Sequence, residues 1–214
     1  MWGLRRALYW QIMHALKVIV GFNIHYVKVG SGMRNVYEDV VPVFPEGYEV
    51  RMVGLEDLLP YSETEPDLSP EFLKQVFRRG DVCVASFYDT DLVGFSFQSG
   101  SRAPVTGQLD ILVPERFLYI YKTWVRSDHR RKNLSQVQGY VRRQSRLEED
   151  STWGIWYVET HNYPSLLHSY LHPRERRLSA GFIGWITVFG REIPFRSPRA
   201  KWLGVELVKI LEGD

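Results

Sequence analysis

Apolar and polar positions fall into a regular pattern from Tyr48 onward. "YEVRMVGL" alternates with a period of two, as a half-buried strand does. "GLEDLLPYSETEPD" reads as a short helix and an acidic loop. "LSPEFLKQVFRRGD" shifts to a helical period and carries its own start signal: Ser69 as N-cap, Pro70 at the first helical position, Glu71 in the first turn. Gly80 would end that helix. "VCVASFYDTDLVGFSFQSG" reads as two strands joined at "DTD", a hairpin, and "ERFLYIYKTWV" as a further strand. A helix follows from about Leu134 to Glu149, with Leu134, Val137, Val141 and Leu147 as its apolar stripe. "TWGIWYVETH" is another strand, "NYPSLLHSYL" a short helix capped by Asn162, and "GFIGWITVFG" and "REIPFRS" the last strands. "AKWLGVELVKILE" reads as a closing helix. The fold class expected is α+β, with a mixed, largely antiparallel central sheet flanked by helices.

Residues 1–47 read as an N-terminal arm, an amphipathic helix plus a linker that ends at the Pro- and Gly-bearing "VVPVFPEGY"; residues 48–214 read as the main domain. In the arm, Leu4, Ala7, Leu8, Ile12, Ala15, Leu16 and Ile19 follow a helical period. Gln11, His14 and Lys17 interrupt the apolar run and no small-residue cleavage site follows, so neither a signal peptide nor a membrane span is expected here. Two readings stand: a helix lying on the domain, or a helix touching a membrane surface with Arg5, Arg6 and Lys17 toward lipid phosphates.

Composition narrows the function classes. The chain has 214 residues and a formal net charge of only +2, so any positive patch is local and a nucleic-acid binder is disfavoured. A single cysteine, Cys83, lies inside an apolar run, which fits a reducing, cytoplasmic setting and a core side chain rather than a nucleophile. The six histidines form no pair at metal-ligand spacing with a nearby carboxylate, so no metal site is expected.

The local patch is "VRSDHRRKNLSQ", where a strand hands over to a helix. Arg126, Arg130, Arg131 and Lys132 crowd a turn that contains one acid, Asp128. The first turn of a helix leaves backbone N–H groups without intrahelical partners, and they attract anions. Asn133 tolerates a left-handed backbone and Ser135 is short, so a phosphate could approach.

Here the chain resembles the GNAT superfamily of N-acyltransferases. The family cradles a pyrophosphate with Arg or Gln, two residues, Gly, one residue, then Gly or Ala. The matching run is Arg130, Arg131, Lys132, Asn133, Leu134 and Ser135, with Val125 ending the preceding strand. Both glycines are replaced, by Asn133 and Ser135. The likeness spans about Tyr48 to Phe189 and includes a late helix starting at Asn162, with Ser165 three residues on, and Gly181-Phe182 on a strand.

The resemblance implies an acyl-coenzyme A donor, acetyl-coenzyme A or a longer acyl chain, lying in a gap between "FLYIYKTWV" and "WGIWYVET". Its amine acceptor, a small molecule or a peptide, would attack the thioester directly in a ternary complex. It implies a tyrosine acid, for which Tyr170 is the candidate and Ser169 the competitor by spacing. Glu159 is the candidate base, with His161 and His168 as alternatives. Membrane contact through residues 1–20 and homodimerisation remain open. The rivals are a degenerate domain that binds coenzyme A or a protein without turnover, and a nucleic-acid-binding module.

Overall fold

The computed structural model describes residues 2–29, 41–144, 153–160, 162, 165–166 and 179–210. In chain order its first elements are helix α1 (Trp2–Val20), strands β1 (Phe22–Val29) and β2 (Tyr48–Val53), helices α2 (Leu55–Leu58) and α3 (Pro70–Arg78), and strands β3 (Val82–Tyr88) and β4 (Asp91–Ser99). Strands β5 (Arg102–Pro104), β6 (Leu109–Leu112) and β7 (Phe117–Val125) follow, then helix α4 (Leu134–Gln144). The chain closes with strands β8 (Trp153–Glu159), β9 (Ser179–Val188) and β10 (Arg191–Arg196), helix α5 (Pro198–Trp202) and strand β11 (Glu206–Lys209). Contacts divide it into two compact units. One comprises Gly32–Gly100 and Leu118–Thr152; the other comprises Met1–Ser31, Ser101–Phe117 and Trp153–Asp214.

The unit containing β2 is an antiparallel sheet in the order β7-β4-β3-β2 with helices on it. Alternation along β3 and β4 sorts the side chains by face. Cys83, Ala85, Phe95 and Phe97 share one face, and all are buried. Phe72 and Phe77 of α3 lay their rings against Phe97, at 5.2 and 6.3 Å between centroids. Full burial of a ring such as Phe97 stabilises the fold by about 1.5–3 kcal/mol. Helix α3 starts as its sequence specifies: Ser69 Oγ accepts from Phe72 N–H at 3.3 Å, and Pro70 is the first residue of the helix. Gly80, at φ +81, follows its end.

The opposite face carries Ser86, Gly94, Ser96 and Gln98, and α4 covers it. Gln138 Nε2 donates to Ser86 Oγ at 2.9 Å. Arg142 Nη1 donates to Ser96 Oγ at 3.2 Å, and that hydroxyl meets Thr123 Oγ1 at 3.0 Å. Burial, reinforced by Arg143 nearby, lowers the Arg142 guanidinium to about 10. A Cβ on Gly94 would lie 3.0 Å from the Trp124 carbonyl oxygen and 3.1 Å from Gln138 Nε2, so the close seat of α4 fits glycine there.

Strand β7 is bulged. Phe95 pairs with Trp124 and Phe97 with Tyr121, so Lys122 and Thr123 together face Ser96. Lys122 carries the kink at φ +45. Its ammonium reaches the Asp67 carboxylate at 2.7 Å and sits 4.6 Å from the centre of the Phe72 ring.

The other unit holds a sheet in the order β10-β9-β1-β8 and a smaller one in the order β11-β6-β5, antiparallel throughout. Strand β1 differs from the expected linker: it lies between β8 and β9, with His25 opposite both Glu159 and Ile183. Its alternating "FNIHYVKV" places His25 and Val27 in the core, where His25 stacks on Trp185 at 4.1 Å. The expected closing helix is corrected as well. It stops at Trp202, Gly204 turns the chain at φ +79, and Glu206–Lys209 pairs with β6 as a strand. A glycine that permits a left-handed turn ends a helix, and the alternating "VELVK" then suits a sheet.

Candidate functional site: a basic turn with open amides

The turn after β7 is built from local bonds. Arg126 N–H donates to the Val93 carbonyl at 2.9 Å and closes the last rung. A single 3₁₀ turn, Ser127–His129, follows. His129 is buried there and is contacted at both ring nitrogens: Tyr48 Oη at 2.8 Å from Nδ1 and Arg126 Nη2 at 2.6 Å from Nε2. A guanidinium only donates, so Nε2 accepts, and in the neutral ring Nδ1 then carries the proton toward Tyr48. Burial, ahead of the nearby Tyr88, pushes the Tyr48 phenol above its ordinary range. His129 thus pins the turn to β2. Sequence reasoning passed over it because nothing local marks a histidine whose partner lies 81 residues away.

Arg126 belongs to the same clasp. Its guanidinium reaches Asp128 at 3.1 Å and Asp91 at 3.5 Å. The one acid of the basic run therefore faces Arg126 and His129.

The six residues from Arg130 to Ser135 differ from that clasp. Arg130 is extended, with φ −67 and ψ 160, and its Nε donates to the Val125 carbonyl at 3.1 Å. Arg131 and Asn133 both adopt the left-handed backbone, at φ +66 and +64. Such residues turn neighbouring N–H groups toward a common point, the geometry of an anion-binding nest. Helix α4 begins immediately after, with Gln136 and Val137 donating to the Asn133 carbonyl at 3.0 and 3.2 Å. Among the described residues, the N–H groups of Arg131, Lys132, Asn133, Leu134 and Ser135 donate to no acceptor. The side chains of Arg131, Lys132, Asn133 and Ser135 are exposed around these amides, while Leu134 is buried and anchors the helix start. The arrangement combines exposed cations, open amides and the positive end of a helix, which suits an oxyanion-rich ligand.

Of the residues expected to form the site, Val125 and Arg130 to Ser135 come together in this turn. Asn162 and Glu159 lie in the other unit. Asn162 caps a helical turn, its Oδ1 accepting from Ser165 N–H at 3.4 Å, and its own N–H donates to the Glu159 carbonyl at 2.8 Å. Glu159 is the last residue of β8 and is half-buried. Gly181 sits on β9 at φ +85, where a Cβ would meet Ser197 Oγ at 2.2 Å. Ser197 Oγ accepts from Phe182 N–H at 3.1 Å and caps α5 by accepting from Ala200 N–H at 3.3 Å. Tyr170, Ser169, His161 and His168 lie outside the described residues.

No protein-family model and no curated protein matches the chain. Solved structures do. A tandem GNAT protein from the clavulanic acid biosynthesis pathway is 18% identical, over 73% of this chain and 53% of its own, with a TM-score of 0.50. A Drosophila protein is 15% identical over 68% and 45%, with a TM-score of 0.48. An aminoglycoside N-acetyltransferase in complex with coenzyme A is 15% identical over 62% and 91%, with a TM-score of 0.44. The chain spans about half the length of the first two. At such identities the likeness is one of fold: the chain has the α+β fold of the GNAT N-acyltransferases, with antiparallel sheets flanked by helices.

Proposed function

We propose that the protein is an acyltransferase that takes an acyl group from acyl-coenzyme A and passes it to an amine. The observation that carries this reading is the row of unbonded amides from Arg131 to Ser135, ringed by exposed cations and leading into α4. A diphosphate carries the charge and the acceptor atoms to use them. In the reaction the amine nitrogen attacks the thioester carbonyl; the C–N bond forms, the C–S bond breaks, and coenzyme A leaves as its thiol. One proton passes from the amine to a base and one reaches the departing sulfur. Glu159 is the base in this proposal and Tyr170 the acid. Acetyl-coenzyme A is the simplest donor, and the acceptor is a small molecule or peptide bearing an amine.

The test starts with binding. Coenzyme A should raise the melting temperature, because a ligand that binds only the folded chain stabilises it. Arg131→Glu or Lys132→Glu should abolish that shift, while Lys74→Glu, on the exposed side of α3, should leave it intact. Equal losses from all three would reduce the effect to general charge, and no shift with the native chain would end the proposal. Release of free thiol with acetyl-coenzyme A and an amine panel then reports turnover. Binding without release under every amine would favour a coenzyme A-binding domain that does no chemistry, a reading suggested by the side chains on Asn133 and Ser135 where the family's motif has small or absent ones.

A further inference from the structure

Helix α1 has apolar residues on two sides. Tyr9 and Met13 are half-buried, and the helix contacts β1 and β9. A second row, Leu4, Leu8, Ile12 and Ile19, runs along the helix at intervals of four and seven and is exposed, with Leu4 at 84% and Ile19 at 80%. Val18 is exposed beside it, and Trp10 is exposed on the far side of the helix. A helix that is apolar well beyond one stripe is ordinarily buried. This one is not, among the described residues.

A further exposed apolar group lies near the C-terminal end of the helix. Gly21 links α1 directly to β1, and its carbonyl accepts from Thr187 N–H at 3.2 Å. Two residues on, Phe189 forms the tip of the β9–β10 turn at φ +48, its ring fully exposed, next to exposed Val188 and Arg191. An aromatic held fully in water on a strained turn stabilises nothing within the chain.

Charge selects the occupant. Residues 1–37 include Arg5, Arg6, Lys17, Lys28 and Arg34 and no Asp or Glu, in a chain whose net charge is only +2. A second copy would bring the same uncompensated positive charge to this segment. An anionic surface would not. No described helix is long and apolar enough to cross a membrane, so a membrane partner would be met along its surface.

We propose that α1 and the Phe189 tip form a membrane-surface anchor that lies in the headgroup region of an anionic bilayer, Leu4, Leu8, Ile12 and Ile19 toward the acyl chains and Arg5, at the edge of that row, toward lipid phosphates. The inference is independent of the coenzyme A reading, since none of its residues lies in the basic turn.

Flotation of the full chain with vesicles tests it. The chain should rise with phosphatidylcholine vesicles containing about one-third phosphatidylserine, and far less with phosphatidylcholine alone. Ile12→Glu and, separately, Phe189→Ser should each lower the bound fraction at least several-fold. Arg5→Gln should weaken binding by on the order of fivefold, in a salt-dependent way. These side chains are exposed, so the melting temperature should hold, and circular dichroism would check that it does. Failure to float with either vesicle overturns the proposal. So does binding that survives both Ile12→Glu and Phe189→Ser, or a soluble dimer that Ile12→Glu dissociates while vesicles leave the native chain unbound.

Discussion

Asn133 is where the backbone and the chemistry meet. Its left-handed conformation opens the amides on either side and starts α4. Asparagine bears that conformation more readily than most residues, and a β-branched residue least. Asn133→Val should therefore destabilise the chain by about 1–2 kcal/mol in urea unfolding, whereas Asn133→Gly should stay within about 1 kcal/mol of the native value. A second residue-scale expectation concerns the buried pair beneath α4. Ser86→Ala leaves the Gln138 amide without its acceptor in a site closed to water and should cost about 1–3 kcal/mol. Ser86→Ala combined with Gln138→Leu should recover part of that loss, because both polar partners are then gone. If the double variant is no more stable than Ser86→Ala alone, the bond is not what seats the helix.

Among the elements, α4 buries two polar side chains beside its apolar Leu134 and Val137. Gln138 and Arg142 reach serines of β3 and β4, and Thr123 of the bulged β7 joins them. Such bonds fix a helix in register where purely apolar packing tolerates sliding, and the register sets where the first turn of α4 points its amides. Strand β9 is fastened through one hydroxyl. Ser197 Oγ caps α5 and holds Phe182 N–H, and Gly181 leaves it room. Gly181→Ala would drive a Cβ into that oxygen at a positive φ, and a loss of about 2 kcal/mol or more is expected in thermal unfolding. Ser197→Ala should be milder, about 1 kcal/mol, as is usual for a lost N-cap. The reverse order of severity would mean that the cap, and not the close approach, governs this corner.

For the molecule as a whole, Cys83 offers a probe of global stability. It is the only cysteine, fully buried between β2 and β4, and burial pushes its thiol up to about 12. A folded-state pKa above the unfolded one makes a stabilising contribution that is complete below about pH 9 and fades between about 9 and 12. In that window the unfolded thiol ionises and the folded one does not. Stability should thus fall with rising pH there, by at most about 1.4 kcal/mol per unit from this group, and Cys83→Ala should flatten the slope. Labelling of Cys83 at pH 8 should track global unfolding; a rapid reaction in the native chain would show that the β3 core opens locally.

What the sequence determined by itself was local. Ser69, Pro70 and Gly80 bounded α3, the turn after Tyr88 made its hairpin, Asn162 capped its turn, and the run from Arg130 to Ser135 marked the basic turn, because each signal acts within a few residues. Tertiary structure decided the rest. His129 became a clasp only when β2 supplied Tyr48, and "FNIHYVKV" became a central strand only between β8 and β9. "VELVK" became an edge strand once Gly204 had turned it toward β6. A short apolar run can serve as helix, linker or strand, and the partner surface that chooses among these lies far away in sequence.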